Sequence, residues 1–135
     1  MKEQLIERAK RAKARAYAPY SNFHVGAAVQ MSDGSIYDGC NIENASYSLT
    51  NCAERTAIFK AVSDGKRSIA RIAIIGSTDE PIAPCGACRQ VMQEFSERTT
   101  PVYLTNDAGD VYETTVGDLL PLSFTKEDVH GKSTI

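Results

Sequence analysis

Cys85 and Cys88 are three residues apart. On a helix that spacing puts both side chains on one face, with Cβ atoms about 5–6 Å apart, which suits two sulfurs each about 2.3 Å from one zinc ion. A Cys-x-x-Cys pair also serves redox enzymes and structural zinc ribbons, so alone it does not choose between them. Earlier in the chain Cys52 is followed two residues on by Glu54. Three cysteines make three protein ligands and leave the fourth tetrahedral position for water, with a carboxylate near enough to move that water's proton. A structural site would need a fourth ligand.

The positions around these residues set conditions on the elements that carry them. Cys52 and Glu54 are about 200° apart around a helix axis, so they can meet only over the helix end. Thr50 or Asn51 is expected to cap a helix running from about residue 52 to Asp64, with Gly65 as its stop. The free amides and positive dipole of such a terminus favour a thiolate at Cys52. Pro84 marks a second helix start beside Cys85, and Val91, Met92 and Phe95 continue the apolar face of Cys88. Two helix ends then meet at one ion. Three thiolates around a divalent ion leave a net negative charge, and Arg55, three residues after Cys52, is placed to donate to the sulfurs and offset it.

Cys-x-Glu followed by Pro-Cys-x-x-Cys resembles the signature of zinc-dependent nucleoside and nucleobase deaminases. Thr50-Asn51-Cys52-Ala53-Glu54-Arg55-Thr56-Ala57 and Pro84-Cys85-Gly86-Ala87-Cys88-Arg89-Gln90 look like the small cytidine deaminases, and the likeness runs from Ala18-Pro19-Tyr20-Ser21 to Phe124. The resemblance implies a three-layer α/β fold and one Zn²⁺ per chain on Cys52, Cys85 and Cys88. It implies hydrolytic deamination of cytidine and 2′-deoxycytidine in pyrimidine nucleoside salvage, with Glu54 carrying protons to ring N3 and to the departing ammonia. Asn41 and Glu43 match positions that hold the ribose 3′-hydroxyl, Ala45 and Tyr47 lie near the 5′ end, and Phe23 matches an aromatic against the pyrimidine, with Ala53 also in the substrate site. Arg55 matches an arginine that contacts the ligating sulfurs. Members of this length are homotetramers in which the residue matching Phe124 reaches a neighbour's active site.

Two other readings stay open at this point. One is a deaminase of polynucleotides or of another amine, against which Asn41 and Glu43 argue. The other is a closed zinc module with Cys40 or His24 as fourth ligand, against which Glu54 argues.

At 135 residues, 42% hydrophobic and 24% charged, the sequence reads as one globular domain over residues 1–135, with a polar, mobile tail from about 125. Residues 1–15 hold six Lys/Arg against two acidic residues, while the whole chain has a net charge of −2. That balance speaks against a nucleic-acid partner. No apolar run has the length of a membrane span, and the N-terminus lacks a signal-peptide block, so a cytoplasmic protein with no membrane partner is expected. In a reducing compartment the four cysteines are thiols or thiolates, Cys40 being a small buried apolar residue.

In chain order, Leu5, Ala9, Ala12 and Ala16 form an apolar stripe on a helix over residues 2–16 whose other face is basic and solvated. Val25–Met31 alternates as a strand, Asp33-Gly34 supplies a hairpin turn, and Ile36–Ile42 runs back. Gly26, Ala27 and Ala28 call for close packing by a helix or a neighbouring chain. Ile69–Gly76 and Val102–Leu104 read as strands buried on both faces, Val111–Thr115 as a last strand, and Val116–Leu120 as one helical turn. The expected fold is a mixed sheet of about five strands covered by helices, with the metal at two helix N-termini.

Overall fold

The structure, a computed structural model, describes residues 2–129. Its elements are α1 (Lys2–Lys13), β1 (Val25–Met31), β2 (Ile36–Cys40), a 3₁₀ turn (Tyr47–Leu49), α2 (Ala53–Ser63), β3 (Ile69–Gly76), α3 (Gly86–Glu94), β4 (Pro101–Asn106), β5 (Val111–Thr115), α4 (Val116–Leu119) and α5 (Lys126–Val129). The strands form one sheet in the order β2-β1-β3-β4-β5. All pairs are antiparallel except β3–β4, joined through α3 as a parallel crossover. This is the mixed five-stranded α/β fold expected. No helix among the described residues is long and apolar enough to cross a membrane.

The central strands are buried on both faces because each face has its own helical layer. Ala28, Ala73, Ile75 and Tyr103 face α1, where Leu5 and Ala9 meet them. Ala27, Val29, Ile72, Ile74, Val102 and Leu104 face the other way, onto Ala53, Ala57, Ile58 and Ala61 of α2 and Met92 of α3. The two periods interlock here, since a strand alternates its faces while a helix repeats near every fourth residue.

Glycines decide how closely the layers approach. A Cβ on Gly26 would lie 2.0 Å from the Ala9 carbonyl oxygen, so the neighbour required by this strand is α1 of the same chain. On β2, a Cβ on Gly39 would lie 2.6 Å from the Ala57 amide nitrogen and 2.9 Å from the Ala53 carbonyl oxygen. Backbone rather than flexible side chain would have to move. Gly39→Ala is therefore expected to destabilise the fold by about 1–3 kcal/mol, the usual cost of overpacking. Urea unfolding checks this, and an unchanged midpoint would mean that α2 lifts off β2 at no cost.

Asp38 on the edge strand ties the helices to the sheet. Its carboxylate accepts from Arg8 and Arg15 at 3.2 Å and from Lys60 of α2 at 3.3 Å. Lys13 pairs with Asp107 at 3.1 Å, and the Lys2 ammonium sits 5.7 Å from the centre of the Tyr103 ring. Much of the basic face of α1 is thus used inside the chain.

Several expectations need correction. Helix α1 stops at Lys13, and Ala16 lies beyond it because residues 14–15 turn so that Tyr17 can bridge to Ile42. Strand β2 ends at Cys40, and Ile42 bridges Tyr17 and Asn51 instead. Cys40 is half-buried, its thiol donating to the Arg15 carbonyl at 3.4 Å. Ala53, Ala57, Ala61, Phe59 and Val62 read as apolar on more than one side of α2, but the helix is buried along one side, with Phe59 turned outward. Of the expected polar tail, residues 126–129 form a helical turn, with Thr125 donating its amide to Asp128 at 2.8 Å. The rest of that tail lies outside the described residues.

Candidate active site

The N-termini of α2 and α3 converge below the end of the central strands. Cys52 is the N-cap of α2, so neither Thr50 nor Asn51 caps it, and Cys85 is the N-cap of α3. Cys85 Sγ accepts the Cys88 backbone amide at 3.4 Å, filling the place that a serine or aspartate oxygen holds at an ordinary N-cap. Asn51 instead steadies the helix start. Its amide donates to Thr56 Oγ1 at 3.3 Å, and that hydroxyl donates to the Cys52 carbonyl at 3.1 Å.

The three sulfurs of Cys52, Cys85 and Cys88 lie within 4.8 Å of one another, and those of Cys52 and Cys85 are 3.8 Å apart. Tetrahedral zinc with sulfurs at about 2.3 Å puts them about 3.8 Å from each other, the Cys52–Cys85 separation, and a cluster within 4.8 Å needs at most about 1 Å of closure to hold this ion. Neither Cys40 nor His24 joins the cluster. Arg55 Nη2 donates to Cys52 Sγ at 3.3 Å, as its spacing implied, and its Nε is buried with no hydrogen-bond partner. The hydrogen bond from the Cys88 thiol and the donation from Arg55 hold the Cys52 thiol well below its ordinary value, at about 5. Cys88, the donor in that pair, is pushed up in turn.

Glu54 is 4% exposed and shares this space. Burial raises its carboxyl to about 7, the charge on Cys52 adding to the shift, which puts its protonation change close to neutral pH. That is where a group that must both accept and give a proton works best.

A cavity of about 220 Å³ opens above the sulfurs, lined by Phe23, Val25, Asn41, Thr50, Cys52, Ala53, Glu54, Ile82, Ala83 and Cys85. Of the positions singled out in the sequence, it brings together Phe23, Asn41, Ala53, Cys52, Cys85 and Glu54. Asn41 Oδ1 accepts from the Val25 amide at 2.9 Å and its Nδ2 donates to the Phe23 carbonyl at 2.7 Å, so the side chain fixes the backbone that carries the aromatic wall. Glu43 accepts the Tyr20 amide at 3.0 Å and the Ser21 amide at 3.2 Å, together with the Ser21 hydroxyl, which lowers its carboxyl below the ordinary range. Glu43, Ala45, Tyr47 and Phe124 stand outside the cavity of the single chain. Tyr47 is 83% exposed and Phe124 63%. Val25, Thr50, Ile82 and Ala83 complete the wall, and sequence reasoning gave none of them a place in the site. Only their nearness to Phe23, Cys52 and Pro84 could have pointed to them.

A tri-thiolate cluster with one ligand position left over, at two helix ends and beside a buried carboxyl, defines a hydrolytic zinc centre rather than a structural one. Residues 1–104 match the family described as the cytidine and deoxycytidylate deaminase zinc-binding region, and the chain belongs to that family. It is 60% identical over 127 residues to a cytidine deaminase of Sporosarcina psychrophila, covering 94% of this chain and 93% of that one. To the cytidine deaminase of Halalkalibacterium halodurans it is 56% identical over 129 residues, covering 96% and 98%. The crystal structure of a cytidine deaminase from Burkholderia pseudomallei superposes with a TM-score of 0.89 at 58% identity, over 92% of this chain and 99% of that one.

Proposed function

We propose that this chain catalyses the hydrolytic deamination of cytidine and 2′-deoxycytidine to the uridine nucleosides and ammonia, as a single-domain, cytoplasmic homotetramer in pyrimidine nucleoside salvage. The observation that carries the reading is the buried Glu54 carboxyl in one cavity with the sulfur cluster. Cys52, Cys85 and Cys88 would hold the zinc, which when bound supplies the Lewis acidity that makes a water nucleophilic at neutral pH.

The chain's own residues do the rest. Phe23 offers an apolar wall to the flat ring, and Ala53 leaves room for it at the start of α2. Glu54 takes a proton from the attacking water and delivers it to ring N3 as the oxygen bonds to C4; it then takes the remaining hydroxyl proton of that C4 adduct and gives it to the exocyclic nitrogen, which leaves as ammonia as its bond to C4 breaks and the C4 carbonyl forms. Arg55 draws charge from the Cys52 sulfur. Asn41 and Glu43, already fixed by the 17–25 segment, present their remaining acceptor and donor capacity to the ribose 3′-hydroxyl. Ala45 and Tyr47 stand toward the 5′ end. Ammonia release from cytidine, with the accompanying ultraviolet change of the ring, tests the reading directly. Free cytosine, which has no hydroxyl to offer Asn41 and Glu43, is expected to be far poorer, and equal kcat/KM for base and nucleoside would remove those residues from the site.

The tetramer is supported by apolar side chains that the single chain does not cover. Leu119 packs onto the core, but Leu122 is 101% exposed and Phe124 63%. Tyr47 and Leu49 beside the cavity are also open to solvent. Patches of this kind mark interfaces. Phe124 of one chain would close the cavity of another, so Phe124→Ala is expected to raise KM for cytidine by about 3- to 10-fold, the worth of one aromatic contact, with zinc content unchanged. Sedimentation of a fully active monomer would show that each chain closes its own site.

A further inference from the structure

We infer that Arg89 and Gln90 are positioning residues that set the metal loop and the C-terminal segment in one register, so that ligand geometry and the placement of residues 119–124 depend on the same two side chains. The inference deepens the functional reading above and rests on it only for the role of the zinc.

Arg89 Nε donates to the Pro84 carbonyl at 2.8 Å, and its Nη1 donates to the Leu119 carbonyl at 2.9 Å. The first acceptor is the peptide that leads into Cys85. The second is the end of α4, where the chain turns toward Phe124. The guanidinium is half-buried, and among the described residues it forms no salt bridge, so its fork of donors is spent on backbone oxygens. One residue later Gln90 Nε2 donates to the Phe124 carbonyl at 2.8 Å. Both side chains leave the helical turn that begins with Cys85 and Cys88, and Arg89 also donates its amide to the Cys85 carbonyl at 3.0 Å.

Between the two anchored carbonyls the backbone adopts a conformation that needs holding. Leu122 has φ +54°, the left-handed region that a leucine rarely enters, and its side chain touches little of its own chain. A residue kept there must be fixed by its flanks, and the described flanks are tied by Arg89 at Leu119 and by Gln90 at Phe124. A planar fork can bridge two carbonyls that a single ammonium cannot.

The test uses Arg89→Lys and Gln90→Glu in the full-length zinc-loaded protein, with release of zinc to a chelator and hydrogen exchange of backbone amides as readouts. Neither readout needs a substrate, so a wrong assignment of cytidine would leave them interpretable. In Arg89→Lys, zinc release should quicken by about 10- to 100-fold, the usual effect of losing a partner that orients a ligand. Amide exchange over 120–124 should quicken in the same variant. In Gln90→Glu, which replaces the donor by an acceptor, exchange near Phe124 should quicken while zinc release stays as in the parent. Faster zinc release in Arg89→Lys without any change over 120–124 would overturn the coupling, as would unchanged exchange near Phe124 in Gln90→Glu.

Discussion

Glu54→Gln keeps one zinc per chain and still binds nucleoside, yet turns over about 10²–10⁴-fold more slowly, the usual contribution of a positioned acid–base group. The sulfur cluster does not include Glu54, and glutamine has nearly the same shape, so the cavity survives the change. What is lost is a carboxyl that burial has brought to about 7 from the ordinary 4.5. Linkage gives the variant a second signature. A carboxyl whose folded value is raised costs the fold stability as pH climbs from about 4.5 through about 7, and that cost persists above it. The glutamine variant does not carry this loss, so its advantage in thermal stability over the parent should appear on the alkaline side and vanish in acid. A near-normal rate at full zinc content would show that another group moves the proton.

Cys85→Ala removes both the metal and the activity while the fold remains. Cys85 is the exposed member of the cluster, whereas Cys88 is completely buried, so replacing Cys88 would mix a packing defect with the loss of a ligand. With Cys85 gone, only two sulfurs remain, too few for a stable zinc site. The helix also loses the sulfur that accepts the Cys88 amide, a cap worth about 1 kcal/mol. Elemental analysis together with circular dichroism separates the outcomes. A metal-free protein that still deaminates would refute the mechanism, and a fully unfolded one would mean that zinc holds the two helix starts together.

The three-cysteine cluster was legible because a metal demands residue types that few other roles share, and because Cys85 and Cys88 sit within one turn. Strands β1, β3 and β4 were legible from runs of apolar and small residues between turn signals. Features made by distant contacts were not. The chemistry of Cys52 gives no hint that it takes the N-cap position of α2, where its thiol makes no capping hydrogen bond. Ile82 carries no polar signature, and it reaches the cavity wall only because Gly76 has no side chain, a Cβ there falling 2.7 Å from Ile82 Cδ1. Asn41 could be read as a polar group near a pocket, but its double hold on the Phe23–Val25 backbone depends on a partner 16–18 residues away. Helix α1 was expected to run to residue 16 from its alanine spacing, which continued past the point where the bridge from Tyr17 to Ile42 takes over.

The division of the ligands between two helices fixes an order of events in the newborn chain. Cys85 and Cys88 are brought together by one turn of α3, but Cys52 is 33 residues away from Cys85, and β3 lies between them. Their meeting waits on the strand that must first insert beside β1 and then accept β4 in parallel, the slow kind of pairing because its loop closure precedes any reward. Ion capture is therefore expected to come late, with the Cys85–Cys88 dithiol open to oxidants until then. In a refolding experiment the far-ultraviolet signal would lead and zinc uptake would trail it, the lag measuring how long the centre of the sheet takes to close.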